Sequence, residues 1–365
     1  MTKKFSSETN LPWWKKGVIY QIYPRSFNDT SGNGIGDLKG ISKKISYLSS
    51  LGVDAIWLSP VFTSPMKDMG YDVSNYTDID PLFGNILDFE KLIEKAKENK
   101  IKVIIDQVLS HSSDTHPFFK LSKSNKNNSK SDWYVWADPK PDGSPPNNWL
   151  SVFGGSAWEW DTGREQYYLH NFLKSQPDFN FHNTDVQKWL LSTVKFWLEK
   201  GVDGFRLDTA NYYFHDKKLR NNPAIKLRAS GKNPYYYQNL KYSINQKDNF
   251  AFLKKLRKLT DQYKETTMIG EISNVELQAK YTSNNDKLHM AYSFDLLRDE
   301  FSPKHIRNTV SKFFKETKDG WPTWSFSNHD VVRHLSRWNK TKKDKQKFAK
   351  LTCCLLYTSP SPRDQ

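Results

Sequence analysis

The chain has 365 residues, of which 37% are hydrophobic and 26% charged, a composition typical of a globular protein. Its net charge is +15, which raises the question of a nucleic-acid partner. The basic residues, however, are scattered as pairs, without a long basic arm or an RNA-binding motif, so we expect no nucleic-acid binding.

Neither export nor membrane insertion is predicted by the sequence. The N-terminal residues MTKKFSSETNLPWWKKG lack the apolar core of a signal peptide, and no apolar run is long enough to cross a bilayer. The cysteines Cys353 and Cys354 are adjacent and poorly placed to bridge each other. We therefore expect a cytoplasmic protein without a membrane partner, and the sequence leaves its oligomeric state open.

The first part of the chain predicts strands that alternate with helices. The expected strands are Val18–Tyr23, Ala55–Ser59 and Ile101–Val108, and the helices between them are Leu38–Leu51 and Asp88–Glu98. The strands are continuous apolar runs, which indicates burial on both faces of a parallel sheet.

Residues 112–182 interrupt this alternation. They are polar, aromatic and rich in Asn, Pro and Gly, and they show no clear helical periodicity. So long an irregular stretch inside a βα repeat is usually functional. We predict a small domain inserted after the third strand.

Regular alternation resumes after residue 182. The expected helices are Asp185–Glu199 and Asn249–Tyr263, and the expected strands are Gly204–Ala210, Met268–Ile272, Met290–Leu296 and Thr323–Ser327. Seven strands with intervening helices predict an α/β protein, a (β/α)8 TIM barrel without its eighth unit.

Ionisable residues gather where these strands end. The third strand leads to Asp106 and His111, and later strands lead to Arg206, Asp208, Glu271, His329 and Asp330. The carboxyl ends of the strands of a (β/α)8 barrel meet at one rim, where the reactive groups lie. A single acid would be an ordinary solvated or capping group, but this convergence predicts an active site.

Several carboxylates in one pocket suggest glycosyl transfer. A retaining glycosidase uses one carboxylate as nucleophile and a second, about 5–5.5 Å away, as acid and then base. We expect Arg206, two residues before Asp208, to lower the pKa of that carboxyl. We expect neighbouring carboxylates to keep Glu271 protonated near neutral pH.

Six sequence blocks carry a resemblance to a known family. The segments GVIYQIYPRSF, GYDVSNY, DQVLSH, GVDGFRLDTAN, IGEIS and FSNHD resemble the characteristic blocks of the α-amylase superfamily, glycoside hydrolase family 13. The likeness is to the bacterial α-glucosidase and oligo-1,6-glucosidase branch, and it runs from about Trp13 to at least Trp338. It implies a soluble enzyme that acts on a small oligosaccharide, with no cofactor needed for the chemistry.

The resemblance also implies residue roles. Asp208 matches the nucleophile, Glu271 the acid/base and Asp330 the stabiliser of the transition state. Further matches are to residues that bind the glucose unit: Tyr71, Asp72, His111, Arg206 and His329. Because such pockets close behind the terminal glucose, the implied activity is exo-acting.

One side chain bears on linkage. In this branch of the family, the residue after the nucleophile is Thr in members that prefer α-1,4 linkages and Val in members that prefer α-1,6 linkages. The residue here is Thr209, which resembles the first group. We favour α-1,4 substrates such as maltose. A nearby departure is Ser110, which stands where the family often has Asn before His111.

The loop DTSGNGIGD after the first strand resembles the metal loop of the family. The matching donors are Asp29, Asn33, the Ile35 carbonyl and Asp37, which would hold a structural Ca²⁺ or Mg²⁺. Ser31 and Asn33 stand where the family more often has Asn and Asp, which leaves one carboxylate fewer. Without a metal, the segment would be a glycine-rich turn.

The sequence predicts four segments: a first barrel part (13–111), the insertion (112–182), a second, incomplete barrel part (183–353), and a tail (354–365). The tail resembles a translated sequencing adapter, so we expect genuine sequence to end near Cys353. An open barrel exposes a strand edge and apolar faces, so we expect this chain to be poorly soluble and nearly inactive.

Three alternatives stay open from the sequence. A transglucosylase or isomerase, trehalose-forming or sucrose-active, would share all three carboxylates, because both reactions pass through a glycosyl-enzyme. An inactive fragment is the second alternative. The third, a catalytically dead interaction protein with a membrane anchor, is disfavoured because Asp208, Glu271 and Asp330 are all present.

Overall fold

The computed structural model describes residues 11–225, 233–339 and 344–358. The predicted tail therefore lies largely outside the described residues. Its described part, 354–358, continues a helix that spans Lys345–Thr358.

A curled parallel sheet of six strands forms the centre of the fold. In spatial order its strands are β1 (Ile19–Ile22), β2 (Ala55–Leu58), β5 (Lys102–Gln107), β9 (Gly204–Leu207), β10 (Thr267–Ile272) and β11 (Met290–Ser293). Every residue of β2, β9, β10 and β11 is buried, as expected of a parallel sheet that is covered on both faces. The sheet is part of a (β/α) barrel, so the predicted fold class is confirmed.

Helices connect the strands and cover the outside of the sheet. They are α1 (Pro24–Phe27), α2 (Leu38–Ser50), α3 (Ile86–Glu98), α5 (Thr184–Glu199), α6 (Asp248–Thr260), α7 (Val275–Thr282), α8 (Pro303–Glu316), α9 (His334–Trp338) and α10 (Lys345–Thr358). The helix α2 shows how such a helix packs, since it buries one apolar face that includes Ile41, Ile45 and Leu48. No helix among the described residues combines the length and the apolar character needed to cross a membrane.

The segment predicted as an insertion carries its own small sheet. The antiparallel strands β6 (Trp136–Ala137), β8 (Gln166–Leu169) and β7 (Trp158–Asp161) lie side by side in that order. A helix, α4 (Pro117–Ser124), precedes them, although the sequence shows no helical periodicity there. Pro117 at the first helical position and the His116 side chain at the cap account for its start.

A second small sheet, which the sequence did not predict, follows β2. Its two antiparallel strands are β3 (Phe62–Thr63) and β4 (Asn75–Ile79). The hairpin between them holds residues 64–74, which form part of the site described below.

The predicted seventh strand, Thr323–Ser327, is wrong as a strand. The described structure has only a single bridge there, between Pro322 and Ala291, with the Thr323 N–H 2.8 Å from the Ala291 carbonyl oxygen. Pro322 has no N–H to continue a ladder. The hydroxyl of Ser325 instead donates to the Ser327 carbonyl, and the segment continues as a loop.

A glycine fixes the packing of β9 against β10. A Cβ at Gly204 would lie 2.2 Å from the Thr267 carbonyl oxygen, so only glycine lets the strands approach this closely. This contact sets the register in which β9 presents its charged residues to the rim.

Candidate active site

Strand register brings the charged residues together. Asp106 on β5 is the partner of Arg206 on β9, and Glu271 on β10 is the partner of Tyr292 on β11. Asp208 follows β9 directly. Because the strands are parallel, all these side chains reach the same end of the sheet.

Arg206 is the common partner of three carboxylates. Its Nη1 lies 2.9 Å from Asp106 Oδ1 and 2.7 Å from Asp208 Oδ1, and its Nη2 lies 2.7 Å from Glu271 Oε2. All four side chains are at most 8% exposed. The guanidinium, with its planar fork of donors, fixes the mutual position of these acids.

Tyr292 and Thr209 complete the surroundings of Glu271. The Tyr292 hydroxyl accepts from Arg206 Nη2 at 2.8 Å and lies 3.3 Å from Glu271 Oε1 as a donor. The Thr209 backbone N–H donates to Glu271 Oε2 at 2.9 Å. Thr209 has a φ of +41°, a left-handed conformation that is rare for a β-branched residue, so this N–H is held in place by strained backbone.

Burial dominates the protonation of the acids. It raises the pKa of Asp208 to about 7 and the pKa of Glu271 to about 7, while Arg206 opposes both increases. Burial likewise raises the pKa of Asp106 to about 6, again opposed by Arg206. The expected effect of Arg206 has the predicted direction, since the guanidinium lowers the Asp208 pKa, but burial has the larger effect and keeps this pKa above its usual range. The increase at Glu271 has the expected direction, but burial exceeds the effect of neighbouring acids.

An aromatic wall lines one side of the acids. The Tyr71 and His329 rings are stacked, with centroids 5.2 Å apart and planes 10° apart. The Tyr71 hydroxyl donates to Asp106 Oδ2 at 2.9 Å. The Gln21 amide donates to His329 Nδ1 at 2.9 Å, and burial lowers the pKa of His329 to about 4, so this imidazole is neutral.

Asp330 lies beside this wall and is partly exposed to solvent. Its carboxylate is 43% exposed and is 3.4 Å from His329 Nε2. The Asn328 amide donates to Asp330 Oδ2 at 2.8 Å. Its negative charge contributes to raising the pKa of Asp208 and of Glu271, so all three acids interact with one another.

His111 is deeper than the predicted sugar-binding role suggests. It is 1% exposed, with Nδ1 2.9 Å from the Ser110 hydroxyl and Nε2 3.1 Å from the Tyr71 carbonyl oxygen. Burial lowers the pKa of His111 to about 4. A sugar hydroxyl would have to displace one of these protein contacts to bind its ring.

The prediction for Asp72 is wrong. Its carboxylate is fully buried and points into the hairpin, where it accepts from the Ser64 hydroxyl and from the backbone N–H groups of Lys67 and Asp68. Those donors occupy both carboxylate oxygens, so Asp72 stabilises the loop rather than facing a ligand.

The acid of this loop that interacts with Asp330 is Asp68. The Gln176 amide donates to Asp68 Oδ2 at 2.7 Å. Burial raises the pKa of Asp68, and the charges of Asp72 and Asp330 add to the increase. No sequence signal singles it out, because Asp68 and Asp72 are two acids of the same short loop.

The loop 29–37 has oxygen donors suited to a hard cation, but its carboxylates already have partners. Asp29 accepts from the N–H groups of Ser31, Gly32 and Gly34, and Asp37 caps α2 through the Gly40 N–H. The Asn33 side chain accepts from the Ile35 N–H. Within the described ranges, no group of three or more His, Cys, Asp or Glu side chains is placed to hold a metal.

Two further members of the site were not singled out from the sequence. The Trp57 indole N–H donates to Asp106 Oδ2 at 3.2 Å, and the Arg206 guanidinium lies 5.0 Å from the Trp57 ring. Tyr292 bridges Arg206 and Glu271. Both residues look like core aromatics in their apolar strands, so only the strand register shows that they reach the rim.

The sheet is a curled parallel (β/α) sheet, and buried carboxylates surround one arginine at its carboxyl edge. These two features define the class of the protein: a (β/α) barrel with a site of the glycoside-hydrolase type. The family model described as "Alpha amylase, catalytic domain" matches residues 21–362. The chain belongs to the α-amylase family.

The relatives and solved structures agree with this family. The chain is 53% identical over 360 residues to a probable alpha-glucosidase of Rhizobium meliloti (strain 1021), covering 96% of this chain and 65% of that protein. It is 40% identical over 364 residues to an oligo-1,6-glucosidase of Heyndrickxia coagulans, covering 94% and 64%. The solved alpha-glucosyl transfer enzyme XgtA matches with a TM-score of 0.93 at 52% identity, covering 95% and 66%. The chain thus spans slightly less than two thirds of the length of these two curated relatives.

The raised pKa of Glu271 predicts how its removal changes stability with pH. The folded chain holds this proton up to about pH 7, whereas the usual pKa is 4.5, so the stability that protonated Glu271 contributes is lost between those values. Glu271→Gln should therefore stabilise the chain at pH 8 by about 1–3 kcal/mol relative to the parent, and much less at pH 4.5. Denaturant unfolding at both pH values measures the difference.

The control for this prediction is Glu94→Gln on the exposed surface of α3, which should match the parent at both pH values. A Glu271→Gln effect that is equal at both pH values, or larger at pH 4.5, would contradict the burial argument.

Proposed function

We propose that the protein is a retaining, exo-acting α-glucosidase that hydrolyses short α-glucosides through a covalent glucosyl-enzyme. The observation that carries this proposal is the Arg206 fork, which holds Asp208 Oδ1 and Glu271 Oε2 each 2.7 Å from its terminal nitrogens. This arrangement supports the proposal, because a double displacement requires two carboxyl groups side by side, one as nucleophile and one as acid/base.

Protons are divided between the two acids in this mechanism. Near neutral pH the cluster cannot carry all its negative charges against one guanidinium, so it retains a proton. Glu271 carries that proton and gives it to the leaving oxygen, while Asp208 attacks the anomeric carbon through the oxygen that Arg206 does not hold. Glu271 then accepts a proton from the water that releases glucose.

The remaining residues bind the glucose unit in this proposal. The stacked Tyr71 and His329 rings offer an aromatic wall beside the acids, and Asp330 and Asp68 offer carboxylates for sugar hydroxyls. Arg206 acts on the acids themselves, since its donors are occupied by carboxylates and by Tyr292. A small oligosaccharide remains the expected partner, and the cytoplasmic location stays a prediction.

We favour α-1,4 linkages because Thr209 follows the nucleophile. The Thr209 hydroxyl lies 3.3 Å from Asp208 Oδ2, next to where the leaving sugar would sit. Transglucosylation is the second candidate function. It is favoured by the 52% identity to a solved alpha-glucosyl transfer enzyme, and it would use the same acids with a sugar hydroxyl instead of water.

The nucleophile assignment predicts the result of one substitution. Asp208→Asn should abolish glucose release from maltose, by at least 10⁴-fold on the scale of lost catalytic groups, because no glucosyl-enzyme can form. Quantifying glucose and transfer products by chromatography over time measures both candidate functions. Circular dichroism and the unfolding midpoint serve as the control that the fold is intact.

Retained turnover in Asp208→Asn would contradict the mechanism. Transfer products that exceed free glucose would favour the transglucosylase instead. A parent chain that releases no product would support the inactive-fragment alternative.

Substitutions of the two acids of the hairpin, Asp68 and Asp72, should have different effects: one on ligand binding and the other on the stability of the fold. Asp68→Asn should leave the unfolding midpoint near that of the parent but lose the increase produced by the glucose analogue 1-deoxynojirimycin. Asp72→Asn should cost about 1–3 kcal/mol, because its new amide opposes N–H donors in a buried site. Thermal unfolding with and without the analogue measures both effects. If Asp72→Asn abolishes the stabilisation by the analogue and Asp68→Asn does not, Asp72 is the glucose-binding residue that the sequence predicted.

We also propose that the loop 29–37 holds a structural Ca²⁺ or Mg²⁺ through Asp29, Asn33, Asp37 and the Ile35 carbonyl. A metal there would supply only cohesion of the loop, and none of the steps above depends on it. Added CaCl₂ should raise the unfolding midpoint relative to EDTA, and Asp29→Asn should reduce this difference. Equal midpoints in CaCl₂, MgCl₂ and EDTA would contradict the proposal.

A further inference from the structure

Two hydroxyl groups form a bridge between the buried imidazole and the nucleophile. The Ser110 Oγ lies 2.9 Å from His111 Nδ1 and 3.0 Å from the Thr209 Oγ1. The Thr209 Oγ1 in turn lies 3.3 Å from Asp208 Oδ2. An unbroken row of hydrogen-bonding groups therefore runs from the imidazole to a carboxylate oxygen.

That oxygen is the one available for attack. Asp208 Oδ1 is held by Arg206 at 2.7 Å, whereas the hydrogen-bond partner of Oδ2 among the described residues is the Thr209 hydroxyl. A hydrogen bond to Oδ2 stabilises its charge and so weakens it as a nucleophile. The direction in which the Thr209 hydroxyl points is therefore relevant to the chemical step.

The hydroxyl groups of this row can donate their hydrogen bonds in one of two directions. In the first direction, Asp208 Oδ2 receives no hydrogen bond from Thr209. If His111 carries its proton on Nε2, that N–H donates to the Tyr71 carbonyl oxygen at 3.1 Å. The bare Nδ1 then accepts from Ser110, and the oxygen of Ser110 accepts from Thr209. Each hydroxyl has a single proton, so Thr209 has none left for Asp208.

In the second direction, Asp208 Oδ2 accepts a hydrogen bond from the Thr209 hydroxyl. The Gln176 amide nitrogen lies 3.1 Å from His111 Nε2, and it can donate there when that nitrogen is bare. The proton is then on Nδ1 and is donated to Ser110, Ser110 donates to Thr209, and Thr209 donates to Asp208 Oδ2. Because His111 is buried and neutral, both tautomers are open to it.

We propose that Ser110 is a positioning residue that couples the tautomer of His111 to Asp208 and withdraws the Thr209 hydroxyl from the attacking oxygen. The inference rests on the proposed function for its effect on rate, though the hydrogen-bond relay itself does not. The strained Thr209 backbone, fixed by its N–H bond to Glu271, holds this hydroxyl between Ser110 and Asp208.

The relay predicts a rate effect that depends on both hydroxyls. In Ser110→Ala the Thr209 hydroxyl keeps Asp208 Oδ2 as its sole acceptor, so kcat/KM for p-nitrophenyl α-glucoside should fall about tenfold. The acid limb of the pH profile should move to lower pH, because the charged carboxylate is stabilised. Introduced into a Thr209→Val background, the same S110A change should alter neither quantity, since the competing hydroxyl is gone.

Two variants control for packing. Ser110→Thr keeps a hydroxyl and should restore the parent pH profile. Ser112→Ala removes a neighbouring buried hydroxyl whose bonds lead to Tyr134 and not to the acids, and it should leave the acid limb in place. An S110A effect of the same size with and without T209V, or an S112A shift equal to that of S110A, would overturn the proposal.

Histidine NMR tests the relay without activity. With ¹⁵N-labelled histidine, the parent His111 signals, assigned by His111→Gln, should show shifts averaged between the two tautomers. Ser110→Ala should move them towards the Nε2–H form, because Nδ1 loses its partner while the Tyr71 carbonyl remains. Unchanged shifts would refute the relay. Changed shifts in a chain that does not cleave the aryl glucoside would leave the relay standing and count against the proposed function.

Discussion

The site depends on one buried cation, Arg206. Three carboxylates are removed from water around it, and each would be costly to bury without a partner. Its position follows from the backbone, because β9 places Arg206 opposite Asp106 and because Gly204 lets β9 approach β10. The close packing of two strands thus determines where the acids meet.

The charges around Arg206 give its three acid partners different roles. Asp106 accepts from Arg206, Tyr71 and Trp57, so its oxygens are occupied and it orders the site. One carboxylate oxygen of Asp208 has no contact with the guanidinium. The carboxylate oxygens of Glu271 also accept hydrogen bonds from the Tyr292 hydroxyl and from the Thr209 backbone N–H. A cluster with more negative than positive charge retains a proton at neutral pH, which is the condition that general acid catalysis needs.

Much of this arrangement could be predicted from the sequence. Strands such as β2 and β10 begin and end within one residue of the predicted bounds, because a strand buried on both faces is rich in apolar residues along its whole length. The acids at the strand ends were identifiable for the same reason. The seventh strand was not, since Pro322 interrupts the ladder, and helix α4 has too few residues for a periodic pattern. The sequence could not show which of Asp68 and Asp72 binds a ligand. Only the geometry of the hairpin shows that its backbone N–H groups donate to the Asp72 carboxylate. The raised pKa of Asp208 depends on burial, which a motif does not reveal.

Covalent trapping tests the central claim, that Arg206 leaves one oxygen of Asp208 free for attack, most directly. A 5-fluoro-α-glucosyl fluoride forms a glycosyl-enzyme faster than it is released, so digestion and mass spectrometry can locate the sugar. If Asp208 is the nucleophile, each chain should carry one fluoroglucosyl group on Asp208, and the Asp208→Asn chain should carry none. A label on Asp106 or Glu271, the other two acids held by Arg206, would contradict it.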